Sequence, residues 1–504
     1  MINKILEYLE EGAKTNPDKL LFGDENTELS YSRFSEISKR VGTYFGRLNI
    51  TLEPIIILME KTPYMLTCFY GVMYSRNFYV PIDNKMPTDR INKIIENLSP
   101  SYVICDKDNL EKAREVMSQD RIVEYENICN TQIDEKLLCD ISRKVLDVDP
   151  VYIIYTSGTT GVPKGVTVPM RSLIDYVDAF CEVIPFDEND ILANQAPFYF
   201  DASLIDIFCQ VKCKASCIIV PHRLFSMPKE LINFLNEKKI TALRWVPSAF
   251  NVVFSMKTFS VVKPEYLKTV LFGAEAMPTK CFNYWKNNLP GLKYIQIYGP
   301  TEICGICVCH TVDREYADNE TIPIGKPLPN SGVYLLDEKG NRITEYGVQG
   351  EICIYGSCVT LGYYNMPQKT AEVFTQDPTV SAYSNRIYHS GDLAMYNERG
   401  ELVFIGRSDY QIKHMGHRIE LGEIEVALNA LPMVELACCV YDKNKDKIVC
   451  FYSAKEDKKR EIAIAIREKL PKYMWPSVYR FYEELPRGKT GKIDRKYLAE
   501  TLNN

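Results

Sequence analysis

The chain has 504 residues, a formal net charge of −6, 46% hydrophobic residues and 25% charged residues. One hydrophobic core rarely serves a chain of this length, so we expect two or more domains. The acidic balance excludes a nucleic-acid surface built on net positive charge. Apolar runs such as 54–59 are too short to span a bilayer, and residues 1–4 do not resemble a signal peptide. We therefore expect a cytoplasmic protein without membrane insertion.

Strand and helix patterns alternate through the first part of the chain. Apolar residues on one face predict a helix within residues 1–20. Apolar runs at 55–58, 102–105 and 151–155 predict buried strands. Strands that alternate with helices are typical of an α/β fold with a parallel sheet.

A stretch rich in glycine and hydroxyl side chains, residues 155–165, follows the third of these strands. Glycines bring backbone amides close to a ligand, and hydroxyls, amides and a lysine suit phosphate oxygens. Pro163 precedes Lys164 and Gly165 follows it, so this is not a Walker loop. The stretch predicts a polyphosphate site, with a flexible surface loop as the alternative.

The sequence Thr-Ser-Gly-Thr-Thr-Gly-Val-Pro-Lys-Gly at 156–165 resembles the phosphate loop of the adenylate-forming enzymes. That superfamily comprises acyl-CoA synthetases, luciferases and nonribosomal peptide adenylation domains. The resemblance implies that the loop binds ATP. The residues implied are Thr156, Ser157, Gly158, Thr159, Thr160, Gly161 and Lys164.

A single acid, Asp201, lies in the aromatic run Phe-Asp-Ala-Ser at 200–203. An unpaired buried carboxylate is costly, so it needs a partner. One interpretation is a helix N-cap, because apolar spacing follows at Leu204, Ile205 and Phe208. The run also resembles the Phe-Asp-x-Ser motif of family members that activate amino acids, which implies that Asp201 binds the substrate ammonium.

The stretch Tyr-Gly-Pro-Thr-Glu at 298–302 follows a predicted strand, where open α/β sheets bind ligands. It is similar to a further motif of the family. The resemblance implies that Tyr298 stacks on adenine beside Gly299, that Thr301 approaches the α-phosphate, and that Glu302 binds Mg²⁺. A carboxylate oxygen is a suitable ligand for Mg²⁺.

Three later stretches also resemble the family. Asp392, in Ser-Gly-Asp-Leu, matches the carboxylate that binds the ribose hydroxyls, and Arg407 matches an arginine that contacts the ribose. Asp409 matches the hinge residue between two domains. Lys492, in Gly-Lys-Ile-Asp-Arg, matches the catalytic lysine. Without the resemblance, Asp392 is a turn residue and the pair of Arg407 and Asp409 is a weak exposed ion pair.

These motifs together imply the fold and the reaction. Residues 1–405 are implied to form a large N-terminal α/β domain of several subdomains with mixed and parallel sheets. Residues 406–504 are implied to form a small, mobile α+β lid domain that carries the catalytic lysine. A carboxylic acid would react with ATP to give an acyl-adenylate and pyrophosphate.

The second step transfers the acyl group to a thiol, either on a phosphopantetheine carrier protein or on coenzyme A. The chain ends soon after Lys492, so we expect a separate carrier protein. In its length, this chain resembles stand-alone peptide-synthetase adenylation domains and the D-alanine–carrier protein ligases of teichoic acid modification. An aryl- or acyl-CoA ligase would leave Asp201 unexplained. A catalytically silent relative has no chemical reason to retain Lys164, Glu302, Asp392 and Lys492.

The position of the motifs implies a substrate pocket. Its lining is Asp201, Ala202, Ile205, Arg244, Leu271, Gly273, Ile297, Gly305 and Ile306. The D-alanine ligases have Cys-Gly-Glu where this chain has Gly-Ala-Glu at 273–275, so we expect a roomier pocket, which argues against D-alanine. In one interpretation, Arg244 binds a substrate carboxylate or another acceptor. In the other, its guanidinium group turns outward or pairs with an internal acid, while its stem packs on Trp245.

Overall fold

The computed structural model describes residues 4–158, 162–184, 186–407, 411–486 and 493–502. Five of the predicted functional residues lie outside these ranges, namely Thr159, Thr160, Gly161, Asp409 and Lys492. Within the described ranges the chain forms three large sheets and two small ones, covered by helices. The α/β class predicted from the sequence is confirmed. None of the described helices is both long enough and apolar enough to cross a membrane.

The first large sheet has nine strands among the described residues, and its centre is parallel. Its strands in spatial order are Lys326–Pro327, Val308–Thr311, Lys293–Tyr298, Thr269–Gly273, Ala242–Trp245, Ile191–Asn194, Ser216–Ile219, Leu20–Gly23 and Glu28–Ser30. Because parallel strands share one carboxyl edge, the residues that follow 245, 273 and 298 meet there.

The second large sheet has seven strands in the part of the chain that the structure describes, mostly parallel. Its strands in spatial order are Gly362–Tyr363, Lys164–Pro169, Pro150–Thr156, Phe78–Pro81, Pro54–Leu58, Tyr102–Cys105 and Ile122–Glu124. The three strands predicted from apolar runs are all present, two of them with slightly longer bounds. The phosphate loop joins the antiparallel pair Pro150–Thr156 and Lys164–Pro169.

The remaining sheets lie in the second half of the chain. A six-stranded antiparallel sheet, counted over the described residues, consists of Arg342–Ile343, Ser331–Leu336, Gly350–Gly356, Arg386–Tyr396, Phe374–Gln376 and Leu402–Arg407. Two small sheets follow, Gln411–His414 with His417–Glu420, and Leu436–Asp442 with Lys447–Ser453 and Val478–Tyr482.

Helices pack on these sheets. Those of the first half are Leu6–Thr15, Tyr31–Arg47, Pro63–Tyr74, Thr88–Leu98, Leu110–Val116, Tyr125–Ile128, Glu135–Ser142, Met170–Val183 and Gln210–Lys212. Those of the second half are Pro228–Glu237, Pro247–Ser255, Thr279–Asn288, Pro367–Val373, Leu421–Asn429, Lys459–Ala465 and Arg495–Glu500. The helix predicted within residues 1–20 is therefore confirmed as Leu6–Thr15.

The apolar cores follow the sheets. One contiguous core takes side chains from all three large sheets, including Phe22, Ile57 and Ile354. A separate core forms among the C-terminal elements and includes Ile424 and Cys450. Each core buries apolar area that its own elements supply, which gives the C-terminal part of the chain its own source of stability.

Candidate active site

One cavity brings most of the predicted functional residues together at the carboxyl edge of the nine-stranded sheet. Predicted residues that line it are Thr156, Ser157, Asp201, Ala202, Ile205, Arg244, Ile297, Gly299, Thr301, Gly305, Ile306, Asp392 and Arg407. The strand Lys293–Tyr298 ends at this edge, so the turn after it presents Gly299 and Thr301 to the cavity.

Two predicted pocket residues do not line the cavity. Leu271 is fully buried in the apolar core instead. Gly273 lies against the neighbouring strand, and a Cβ at this position would come within 2.2 Å of the backbone oxygen of Ile297. The predicted roomier pocket at this position is therefore wrong, because the backbone of the adjacent strand fills the space that a side chain would occupy.

Glu302 is fully buried and both of its carboxylate oxygens have partners. The Tyr363 hydroxyl donates a hydrogen bond to one oxygen at 2.6 Å, and Arg418 forms an ion pair with the other at 2.6 Å. Burial alone would raise the pKa of Glu302, but the charges of Arg418 and Lys164 outweigh it and lower the pKa to about 2. The carboxylate is therefore ionised and offers hard oxygen atoms.

The described part of the phosphate loop is in contact with the C-terminal segment, the part of the chain from residue 411 onward. Ser157 donates a hydrogen bond from Oγ to the backbone oxygen of Arg418 at 2.8 Å, and the Gly158 amide donates to Glu423 at 3.2 Å. Lys164 Nζ lies 3.7 Å from a Glu420 carboxylate oxygen and 5.2 Å from the centre of the Tyr363 ring. The carboxylates of Glu423 and Glu420 thus lie against the Gly158 amide and Lys164, which are donors of the kind that bind phosphate oxygens.

Asp392 is held by two partners at the other end of the cavity. The Tyr298 hydroxyl donates to one carboxylate oxygen at 2.6 Å, and Arg407 Nη1 lies 2.6 Å from the other. The Lys413 ammonium group is 5.3 Å from the centre of the Tyr298 ring. An aromatic ring, a carboxylate and two cations therefore meet within one cluster, a set suited to an adenosine.

Asp201 begins the short turn Asp201–Ser203, and the N-cap of that turn is Phe200, so the helix-cap interpretation of Asp201 is wrong. Burial raises the pKa of Asp201, and the charge of Arg244 opposes this effect in part, as do the Thr301 side chain and the Ala202 amide. A positive group bound beside Asp201 would therefore stabilise its charged form.

Arg244 lies inside the cavity with 4% of its surface exposed. The predicted packing of its stem on Trp245 is wrong, because neighbouring residues of a strand point to opposite faces of the sheet. Arg244 lines the cavity, whereas Trp245 belongs to the core on the other face. Arg244 also does not turn outward.

Sequence reasoning did not assign roles to Arg418, Lys413 or Tyr363. Arg418 and Lys413 lie on the paired strands Gln411–His414 and His417–Glu420, which enter the cavity. The Gly-His-Arg-Ile-Glu stretch at 416–420 was a usable signal, because an arginine that becomes buried needs a partner of opposite charge. Nothing in the local sequence marks Tyr363.

Comparisons with known proteins show the family and the fold of the chain. The family model of AMP-binding enzymes matches residues 9–364, and the model of the AMP-binding enzyme C-terminal domain matches residues 423–492. The structure of the Vibrio cholerae adenylation domain AlmE in complex with glycyl-adenosine-5'-phosphate has a TM-score of 0.87 at 20% identity. It covers 100% of this chain and 98% of that chain, so the two share a fold.

Two curated relatives extend the comparison. The D-alanine–D-alanyl carrier protein ligase of Staphylococcus aureus (strain Newman) is 30% identical, over 99% of this chain and 99% of the ligase. Surfactin synthase subunit 1 of Bacillus subtilis (strain 168) is 31% identical over 98% of this chain, which spans only 14% of the length of that subunit. The chain therefore belongs to the AMP-binding enzymes, the adenylate-forming ligases that its sequence motifs resemble.

Proposed function

We propose that this enzyme activates an amino acid with ATP and passes the aminoacyl group to the phosphopantetheine thiol of a separate carrier protein. The observation that carries the proposal is the position of Asp201, which lines the same cavity as Thr301 and Asp392. A substrate ammonium at Asp201 would hold the adjacent carboxylate close to Thr301, where the α-phosphate would lie.

Asp201 favours an amino acid over other acids for an electrostatic reason. Asp201 is half-buried and lines the cavity, and the neutral groups that lower the pKa of its carboxyl are the Thr301 side chain and the Ala202 amide. Among the described residues, no lysine or arginine forms an ion pair with it. An α-ammonium group would supply the missing charge, whereas an aryl or fatty acid would leave the carboxylate uncompensated.

The nucleotide would occupy the remainder of the cavity. Tyr298 and Gly299 would contact the adenine, and Asp392 with Arg407 would bind the ribose hydroxyls. The phosphate loop from Thr156 to Lys164, including Thr159, Thr160 and Gly161, would bind the phosphates together with Thr301. Glu302 would hold Mg²⁺, because its ionised carboxylate fits a hard cation once Arg418 is displaced. When bound, Mg²⁺ neutralises phosphate charge.

The reaction then needs positioning more than covalent catalysis. One oxygen of the substrate carboxylate attacks the α-phosphorus, and the bond from that phosphorus to the bridging oxygen of pyrophosphate breaks. Pyrophosphate leaves with the electron pair, and the aminoacyl-adenylate remains. Lys492 would stabilise the negative charge that develops between the two reacting groups.

We assign residues 1–405 to the core and residues 406–504 to a lid that rotates about Asp409. The contacts of the C-terminal segment support this assignment. Arg418 is paired with Glu302, and Glu423 accepts a hydrogen bond from the Gly158 amide. Phosphates and Mg²⁺ would need the same groups, so the segment must move between nucleotide binding and thiol transfer. The carrier-protein acceptor is supported by the D-alanyl carrier protein ligase as a relative.

The test is substrate-dependent exchange of pyrophosphate into ATP, with L- and D-amino acids, aryl acids and short fatty acids. We expect exchange with an amino acid, and Asp201→Ala should lower kcat/KM about 10- to 100-fold because one charged hydrogen bond is lost. The control is Asp140→Ala, whose carboxylate is exposed. Exchange only with an aryl or fatty acid would establish an acyl- or aryl-CoA ligase, and no exchange at all would indicate a silent relative.

The acceptor needs its own experiment. The purified aminoacyl-adenylate-forming enzyme is mixed with a phosphopantetheinylated carrier protein or with coenzyme A, and the thioester is measured by mass spectrometry. Transfer to the carrier protein supports the proposal, and efficient transfer to coenzyme A alone would overturn its second half.

A further inference from the structure

The guanidinium group of Arg244 forms no hydrogen bond and no ion pair with any residue that the structure describes. Its Nε and Nη1 atoms are buried without a partner, although the residue lines the cavity. Buried donors without acceptors are rare, because they lose hydrogen bonds to water and gain none in return. The cavity thus contains a cation whose buried donors can bind an anionic ligand.

A second unpartnered donor lines the same cavity. The hydroxyl of Tyr176 is buried and has no hydrogen-bond partner among the described residues. Two side chains from different elements, the strand Ala242–Trp245 and the helix Met170–Val183, therefore offer donors to one region. Several N–H and O–H donors without an acceptor suit a group with two oxygen atoms.

The internal acids compensate Arg244 only in part. Asp206 is fully buried and accepts a hydrogen bond from Asn194 at 2.7 Å. Burial raises the pKa of Asp206 to about 7, although Asn194, Arg244 and Lys61 oppose this effect, so the carboxyl group is only partly ionised near neutral pH. Lys61 is a further cation that acts on Asp206.

A charge balance follows from these groups. The region holds two cations, Arg244 and Lys61, and two acids, Asp201 and Asp206. An α-ammonium bound at Asp201 would pair with that carboxylate. Arg244 would remain without a hydrogen-bonded partner, and a second carboxylate on the substrate would supply one.

The cavity that holds Asp201 and Arg244 also has apolar lining. Ile205, Ile297 and Ile306 are part of that lining. Gly305 has no side chain, and a Cβ at its position would come within 2.3 Å of the Tyr176 ring. A substrate side chain that ends in an anionic group and has methylene carbons before it matches this arrangement, whereas the methyl group of alanine presents no acceptor to Arg244.

We propose that Arg244 and Tyr176 bind a carboxylate at the end of the substrate side chain, so that the enzyme activates a dicarboxylic amino acid. This inference rests on the proposed function, because it assumes an amino acid bound at Asp201. It makes Arg244 a specificity-determining residue and Asp201 the residue that recognises the α-ammonium.

The experiment compares acids with their amides in pyrophosphate exchange. The panel holds aspartate, glutamate and 2-aminoadipate as both enantiomers, together with asparagine, glutamine and alanine. We expect one dicarboxylic amino acid to exceed its matching amide by about 100-fold or more in kcat/KM, because the amide lacks the charge that Arg244 binds. A neutral amino acid as the best substrate would overturn this inference and leave the proposed function standing. The aryl and fatty acids of the exchange test above are run beside this panel, and exchange only with those acids would overturn both.

Two variants separate recognition from folding. Arg244→Gln should lower kcat/KM for the dicarboxylic substrate about 100-fold while the rate with the matching amide changes little. Arg244→Lys should keep part of the activity, since it retains the charge but not the forked geometry. Arg223→Gln is the control, because Arg223 is an exposed arginine paired with Glu25. Circular dichroism and ATP binding check that each variant is folded, and an equal loss with acid and amide in a folded Arg244→Gln protein would overturn the inference.

Discussion

Glu302 and Arg418 form an ion pair at 2.6 Å that joins the nine-stranded-sheet half of the chain to the C-terminal segment. The carboxylate is fully buried, and the Tyr363 hydroxyl hydrogen-bonds to its second oxygen. In the proposed reaction the same carboxylate would bind Mg²⁺. The position of the C-terminal segment and the metal site are therefore coupled through one side chain.

Glu302→Gln should change the pH dependence of stability. The pKa of Glu302 is about 2 against an ordinary value of 4.5, so its contribution is complete above about pH 4.5 and is lost as the pH falls towards 2. At neutral pH the variant should be less stable by about 3 kcal/mol, on the basis of the pKa difference. Urea unfolding of both proteins from pH 2 to pH 7 measures this. Curves that stay parallel across the range would contradict the prediction.

Arg90→Met should destabilise the docking of the C-terminal segment. Arg90 and Glu423 form a buried ion pair, with side-chain exposures of 7% and 2%. Removal of one partner leaves a buried charge and costs about 3–5 kcal/mol. Chemical denaturation measures the loss, and Arg90→Met combined with Glu423→Leu should recover part of it. The control is Arg33→Met in the exposed pair with Glu36, which should change stability by less than about 1 kcal/mol.

Gly305→Ala should impair both the cavity and the fold around it. Gly305 has a φ of +72°, and a Cβ would lie 2.3 Å from the Tyr176 ring. We expect a loss of about 2–3 kcal/mol in stability and a fall of at least about 10-fold in exchange. Gly347→Ala is the matched control, because its φ is +74° but no atom lies within 4 Å of the added carbon. Equal melting temperatures for the two variants would show that the Tyr176 contact is unimportant.

Lys492→Ala should abolish adenylation while ATP binding stays nearly normal. The lysine is predicted to stabilise charge in the transition state, and loss of such a group costs about 100- to 1000-fold in rate. Pyrophosphate exchange measures the rate and calorimetry measures ATP binding. Lys489→Ala, three residues earlier, should retain exchange. A near-normal rate for Lys492→Ala would refute the assignment of the catalytic lysine.

The sequence determined the family, the α/β class and part of the cavity lining. Each motif is a short stretch of sequence, and the types and spacing of its residues indicate its chemical role. The Tyr-Gly-Pro-Thr-Glu stretch at 298–302 could be placed at a strand end because turn residues follow an apolar run. Asp201 and Thr301 were both singled out from such motifs, and the fold brings both to the same cavity.

Only the tertiary structure decided which side chains meet across long sequence separations. Arg418 lies 116 residues from Glu302, and no local pattern pairs them. The pleat of one strand placed Arg244 in the cavity and Trp245 on the opposite face, and the neighbouring strand closed the space beside Gly273. The physical reason is that burial and pairing depend on distances in space, and those distances are set by how sheets and helices pack rather than by any short stretch of chain.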